Sequence, residues 1–288
     1  MKTILVTGSE GFIGKALCLF LTNNGYSVIR YDIVNGLDVL DKETLNKYLG
    51  KNIDVVIHLA SPSSAAMFYY KPHEMWRLAV EGTNNIINNF NGRVIFPSTC
   101  TLYGDISTPA KEQNILPIPP NLYAASKIEC ERICLHKNSK DGDIKILRIF
   151  SGYGDDEKHK DDYASPIYKF ICSALSYRKV YLYGKGSQVR DFIYVDDISR
   201  IIHKLVETNV SDSIFNAGTG FGTSFIKLID IIQFNINYAI EIEYLALPKG
   251  YVTNIIADTS LASNILEFSS QTTIDNGIKK IVEGTLND

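Results

Sequence analysis

The chain has 288 residues, 45% of them hydrophobic and 21% charged, which is enough for a sizeable buried core and unlike a disordered composition. Its 29 basic and 32 acidic residues leave a formal net charge of −3, which provides no electrostatic footprint for nucleic acid or an anionic membrane. No run reaches the roughly 18 apolar residues of a membrane span, and five cysteines with no C-x-x-C pair read as free thiols of a cytoplasmic protein that holds no metal.

The first predicted element is a strand at "TILVTG", followed by a helix over Phe12–Asn24 and a second strand at "SVIRYD". A helix over Lys42–Leu49, a strand at "DVVIHLA" and a helix over His73–Phe90 come next. They are followed by a strand at "RVIFPST", a helix over Leu122–Lys137 and a strand at "IKILRIF". Cys130 and Cys134 sit four apart on the fourth helix and read as packed thiols. Strand and helix in strict turn predict an α/β fold, and near-continuous apolar strands predict a doubly wound parallel sheet covered on both faces. After about Ser151 the rhythm breaks at the polar stretch "GYGDDEKHKDD". The expected organisation is a first domain over 1–155, with 190–215 returning to it, and a smaller lobe made mainly by 156–288.

Gly8, Gly11 and Gly14 stand where the first strand hands over to the first helix. A helix N-terminus offers free backbone N–H groups to an anion, provided nothing bulky blocks the approach. The first glycine permits the turn, the second lets the backbone touch a pyrophosphate, and the third lets helix and strand pack closely. A further glycine cluster, "AGTGFG" at Ala217–Gly222, lacks the strand-to-helix setting. Asp32 closes the second strand at the distance where a carboxylate meets an adenosine ribose. It accepts from the 2′- and 3′-hydroxyls and repels a 2′-phosphate, so NAD is expected over NADP. Arg30 shares its strand face as the neighbouring cation.

Tyr-x-x-x-Lys occurs at Tyr123/Lys127 and again at Tyr181/Lys185. Only the first pair lies in a helix-forming run, where i and i+4 share a face. There the ammonium is expected to lower the phenol's pKa from about 10 and make Tyr123 a usable base. Tyr181 reads as structural, in a strand before a glycine turn.

The motifs "TGSEGFIG", Asp32, "PSTCTLYG", "YAASK", "LRIFSGYG" and "RDFIYVDD" occur in that order. Together they resemble the extended short-chain dehydrogenase/reductase family, in its group of NAD-dependent nucleotide-sugar epimerases and dehydratases. The resemblance covers nearly the whole chain. It implies a Rossmann-type domain that binds NAD and a C-terminal lobe that grips a nucleotide-diphosphate sugar. The cofactor would lie against Gly8, Gly11, Phe12, Ile13, Gly14 and Asp32. Asp38 and Val39 match the pair beside the adenine, and Leu59, Ala60 and Ser61 match the loop under the riboses. Thr99, Tyr123 and Lys127 match the catalytic set, and Thr99, Ser151 and Arg190 would face the substrate. Arg190 suits the diphosphate because its fork is bidentate and always charged. In the implied mechanism Tyr123 removes the proton of a sugar hydroxyl, most often at C4, while the hydride moves to NAD. Thr99 would hold the same oxygen. Lys127 would bind the nicotinamide ribose and bias Tyr123 toward its anion.

Departures from the family pattern narrow the chemistry. The family's dehydratases carry "TDE" and its UDP-glucuronate decarboxylases "TSE" where this chain has Thr99-Cys100-Thr101. Neither Cys nor Thr supplies the carboxylate that those reactions use, and the triplet resembles the "SAT" of 4-epimerases. Against this, "HLASPSSAAMFYYKP" resembles the corresponding loop of the decarboxylases. Cys100 invites comparison with GDP-fucose synthase but stands one position earlier than that enzyme's cysteine. Two family asparagines are replaced by Ala79 and Ser151, and the later diphosphate-clamping Arg is absent, with Lys249 nearby. The leading expectation is a 4-epimerase that keeps its NAD. The alternatives are a 4-ketosugar reductase and, less favoured, a decarboxylase-like enzyme or a non-catalytic NAD-binding regulator. Trp76, Leu78, Ile86, Ile87, Ile128, Ile133 and Leu135 exceed what one sheet-facing stripe requires. The resemblance implies that their two helices pair across a twofold axis in a homodimer.

Overall fold

Runs of Val, Ile and Leu bounded by glycine turns form the strands, and amphipathic stretches form the helices between them. The computed structural model describes residues 1–140, 142–247 and 251–287. In chain order the first part comprises β1 (Thr3–Thr7), α1 (Phe12–Asn23), β2 (Ser27–Tyr31), α2 (Lys42–Leu49) and β3 (Val55–His58). It continues with α3 (Ala65–Tyr70), α4 (Pro72–Asn89), β4 (Arg93–Thr99), α5 (Leu122–Asn138) and β5 (Asp143–Ile149). The predicted helix over His73–Phe90 is therefore preceded by a separate short helix, because Pro72 cannot continue α3 but suits the first turn of α4.

The second part comprises β6 (Ser151–Tyr153), α6 (Pro166–Tyr177), β7 (Lys179–Tyr183), β8 (Val189–Tyr194), α7 (Val195–Glu207) and β9 (Ile214–Ala217). It ends with β10 (Gly222–Ser224), α8 (Phe225–Ile236), β11 (Glu241–Leu245), β12 (Asn254–Ile255), α9 (Ser260–Leu266) and α10 (Ile274–Asn287).

The main sheet has six strands in the order β2-β1-β3-β4-β5-β9, every neighbouring pair parallel. Its order reverses at β1, so the carboxyl ends of β1 and β3 open a crevice of the kind that binds dinucleotides. This is the α/β, Rossmann-type sheet that the alternation predicts. One face is covered by α1 and α7, whose Leu17, Leu21, Ile198, Ile202 and Leu205 are buried with Ile4 and Ile57. The other is covered by α2, α4 and α5, with Ile86, Ile87, Cys130 and Cys134 buried against Leu5, Phe96 and Ile146.

A smaller layer joins β8 to β6, β10 and β12, and β7 pairs with β11. Its core of Ile167, Ile171, Leu182, Phe192, Leu228, Ile232 and Ile278 also takes in Phe12, the first residue of α1. The chain crosses back twice. α7 and β9 join the main sheet layer, and so does α9, whose Ala262 and Leu266 are fully or almost fully buried in the first core. Sequence patterning missed the second return, since seven residues of helix carry too little periodicity to show which layer they cover. Buried carboxylates hold these crossings. Asp191 accepts from the backbone N–H of Thr219, Gly220 and Ala257, at 2.8, 2.9 and 3.1 Å. Asp197 accepts from those of Gln271 and Thr272, both at 3.0 Å. The glycine cluster at Ala217–Gly222 is thus a clasped loop, and it is followed by β10 rather than a helix.

Candidate active site

Each segment of the site follows the carboxyl end of a strand. After β1, Gly8 has φ +70°, and an added Cβ there would lie 2.6 Å from the Leu59 carbonyl carbon. At Gly14 it would lie 2.1 Å from the Gly8 oxygen. Both glycines are demanded by the chain's own packing. Gly11 is different: a Cβ would meet only the Gly8 oxygen, at 3.3 Å, and no side chain caps the helix that Gly11 opens. The free N–H groups of the first turn of α1 face outward past a residue without a side chain, a cradle that fits a pyrophosphate. Phe12 is buried toward the smaller lobe and Ile13 packs against both cores.

Asp32 is buried, and its two oxygens accept from the backbone N–H of Glu10 (2.9 Å) and Val34 (3.0 Å), which aims the carboxylate at the end of β2. Val39 is buried with its carbonyl accepting from Asn85 Nδ2 at 2.9 Å. Asp38 Oδ1 accepts from the N–H of Leu40 at 2.8 Å. Leu59, Ala60 and Ser61 are half-buried and pass directly over Gly8. The structure therefore brings the expected cofactor residues to one crevice.

Thr99 ends β4, and Tyr123 and Lys127 lie in the first two turns of α5, all three buried. The Thr99 hydroxyl favours the Tyr123 anion, against a larger opposing push from burial. The same hydroxyl lies 3.0 Å from Thr101 Oγ1. Phe68 of α3, in the loop that resembles the decarboxylases, packs its ring 6.1 Å from that of Tyr123. Lys127 Nζ donates to Ser61 Oγ at 3.0 Å and to the Pro97 carbonyl at 3.3 Å. The expected pull of Lys127 on Tyr123 is not found in this structure. Burial pushes the phenol up to about 12, and the opposing influence is the Thr99 hydroxyl. Burial lowers Lys127 as well, so desolvation drives both groups toward their neutral forms.

Ser151 and Arg190, the residues expected on the substrate side, lie on adjoining strands, with Ser151 paired to Phe192 in the β6–β8 register. Arg190 donates to the Val189 carbonyl at 2.9 Å and to that of Val252, and lies over the rings of Phe225 and Tyr251 at 5.7 and 5.5 Å. Lys249 lies outside the described residues. Cys100 is buried in an apolar cluster with Tyr103, Phe150 and Ile255, and burial raises its thiol to about 12. A neutral thiol of that kind is neither a nucleophile nor a substitute for a carboxylate. Tyr181 stands half exposed on β7, in a strand rather than a helix.

Sequence reasoning missed the groups that hold this set in place. Glu131 is buried one turn beyond Lys127. It takes a bidentate pair from Arg148 at 3.0 and 2.7 Å and a hydrogen bond from Ser98 Oγ at 2.6 Å. Arg148 continues to the Tyr103 hydroxyl at 3.0 Å, and Tyr103 to Asn216 at 2.7 Å. The available signal was spacing, because Tyr123, Lys127 and Glu131 fall on one helix face. Among the described residues, no group of three or more His, Cys, Asp or Glu side chains is placed to hold a metal ion, and no helix is long and apolar enough to cross a membrane.

Known proteins agree with this geometry. The profile of the NAD dependent epimerase/dehydratase family matches residues 4–218. A putative UDP-glucose 4-epimerase of Methanocaldococcus jannaschii is 30% identical over 99% of both chains. UDP-glucuronic acid decarboxylase 1 of Xenopus tropicalis is 26% identical over 98% of this chain and 71% of its own. The structure of UDP-glucuronic acid 4-epimerase from Bacillus cereus, in complex with UDP-glucuronic acid and NAD, superposes with a TM-score of 0.86, 25% identity and 99% of both chains covered. The crevice and the Thr–Tyr–Lys set lie within the span that the family profile matches, and the chain belongs to the NAD-dependent epimerase/dehydratase family of enzymes.

Proposed function

We propose that this chain is a nucleotide-diphosphate-sugar epimerase that works by transient oxidation at C4 of the sugar. The observation that carries this reading is the burial of Thr99 at the end of β4 and of Tyr123 and Lys127 at the start of α5, with only Cys100 and Thr101 following Thr99. NAD, when bound, supplies the acceptor for the hydride at the sugar carbon and gives it back. Gly8, Gly11, Gly14 and Asp32 would hold its adenosine end, and Lys127 its nicotinamide ribose. Tyr123, as the phenolate that the Thr99 hydroxyl and a bound cofactor's positive charge would favour against burial, would take the proton of the sugar hydroxyl and return it, while Thr99 holds the same oxygen. Arg190, with donors left over from the Val189 and Val252 carbonyls, binds the diphosphate beside Ser151. The smaller lobe, mainly 156–288, carries that grip.

An epimerase must offer both faces of the sugar carbon to one cofactor. Next to Thr99, Cys100 is buried with Phe150 and Ile255, so this side of the Thr99 hydroxyl carries no carboxylate. Elimination of water or loss of carbon dioxide needs a carboxylate near C5 or C6. Acids of this region are already engaged, Glu131 by Arg148, Asp191 by the backbone of Thr219, Gly220 and Ala257, and Asp105 by Thr253 and Asn254.

The test is incubation with UDP-hexoses and UDP-glucuronic acid, followed by separation of the products. The expected result is interconversion of C4 epimers with no net change in NADH and no carbon dioxide released. Tyr123→Phe should lower turnover by a factor of order 10² or more with sugar binding retained. Stoichiometric formation of NADH from added NAD, the reverse of ketone reduction, would instead assign a 4-ketosugar reductase. Near-normal turnover of the Phe variant would remove Tyr123 from the mechanism.

A further inference from the structure

Arg30 is the feature that the cofactor reading leaves unused. It stands two residues before Asp32 on β2, so both side chains emerge on the same side of the strand. A free guanidinium there would attract a 2′-phosphate and work against Asp32. The structure shows it engaged. Arg30 Nη1 donates to Glu10 Oε1 at 3.3 Å, and Ser9 Oγ donates to the same oxygen at 3.1 Å. The backbone N–H of Glu10 meanwhile donates to Asp32 Oδ2 at 2.9 Å. Glu10 immediately precedes Gly11, the open glycine of the phosphate cradle, and its side chain is 23% exposed against 45% for Arg30. One residue therefore aims the ribose-binding carboxylate with its backbone and occupies the nearest cation with its side chain.

We propose that Glu10 is a cofactor-specificity residue, which neutralises Arg30 and leaves Asp32 as the uncompensated charge, so that a 2′-phosphate meets a carboxylate and no free cation. In this arrangement Arg30 is a phosphate ligand held in reserve, and the choice of NAD is made by three side chains rather than by Asp32 alone. The pair is partly exposed, so its effect is modest and weakens with salt. The inference rests on the adenosine ribose lying at Asp32, and one variant below tests that placement separately.

The experiment measures dissociation constants of NADH and NADPH by calorimetry for the full chain and for E10Q, D32S, E10Q/D32S and E10Q/D32S/R30Q, with circular dichroism confirming the fold. Gln keeps the backbone N–H to Asp32 and removes only the charge. The readout is the ratio of NADPH to NADH affinity, which cancels any general effect on the pyrophosphate. The ratio for E10Q/D32S is expected to exceed that for D32S by about fivefold, the size of a partly exposed ion-pair effect. Adding R30Q should abolish the gain, and raising the ionic strength should shrink it. A ratio equal to that of D32S, or a gain that survives R30Q, would overturn the proposal. NADH affinity unchanged by D32S would overturn the placement of the ribose, and the proposal with it.

Discussion

At the scale of single residues, surroundings outweigh identity, and His58 shows by how much. A free imidazole titrates near 6.5. At the end of β3, burial, followed by the charge of Lys127, lowers His58 to about 3. Its Nδ1 lies 2.8 Å from the Thr7 hydroxyl, which also accepts the Ala60 N–H at 3.2 Å, while its Nε2 is buried without a partner. Below about pH 6.5 the unfolded chain takes up a proton that the folded chain refuses until about pH 3, so stability falls as the solution is acidified. His58→Gln should remove that slope. Between pH 6 and pH 4 the wild type should lose up to about 1.4 kcal/mol more per pH unit than the variant, read from urea denaturation. Equal slopes would show that His58 is protonated in the folded protein. The same desolvation acts on Tyr123. The Tyr-x-x-x-Lys spacing was legible, but the upward shift of the phenol depends on burial, which no spacing reports.

At the scale of the element, α5 carries the chemistry and its registration together. Tyr123, Lys127 and Glu131 occupy one face, so fixing Glu131 fixes the angle at which Tyr123 meets Thr99. Glu131 is held by Ser98, the residue before Thr99, and by Arg148 on the neighbouring strand, so the helix is pinned to β4 and β5 at the point where the site begins. Although burial alone would lower it, Glu131 and the Tyr103 hydroxyl raise the pKa of Arg148, so it stays charged. Removing one partner of a buried pair leaves the other uncompensated. Glu131→Gln is expected to cost about 3–5 kcal/mol in guanidinium unfolding and to lower kcat more than it raises KM. Ser98→Ala should cost only about 1 kcal/mol. A Gln variant within about 1 kcal/mol of wild type would mean that the pair does not anchor the helix.

At the scale of the whole molecule, the faces of α4 and α5 turned from the sheet decide assembly. Of the seven apolar residues whose excess points to a partner, Ile86 and Ile87 are consumed inside the chain. Trp76 and Leu135 remain exposed at 37% and 38%, with Leu78, Ile128 and Ile133 half-buried. We expect a homodimer built on these helices. Light scattering at micromolar concentration should give twice the chain mass, and Trp76→Glu combined with Leu135→Lys should give the single-chain mass. Because α5 also bears Tyr123 and Lys127, the separated chain should turn over more slowly. A wild-type chain that is monomeric and fully active would defeat both expectations.

The alternation of strands and helices, the glycine turn, Asp32 and the Thr–Tyr–Lys set were determined by local sequence, because each depends on spacing along one or two elements. Hydrophobic period, turn chemistry and helix-face spacing are properties that a linear chain carries by itself. The tertiary structure alone decided that α9 returns to the main core, that Asp191 and Asp197 clasp distant loops, and that Glu10 takes up Arg30. It alone placed Arg148 against Glu131, 17 residues away, and Tyr103 against Asn216, 113 away. It also set the protonation states, which follow from how much water is excluded around each group. Those contacts join segments that share no period, and exclusion of water is a property of the packed whole.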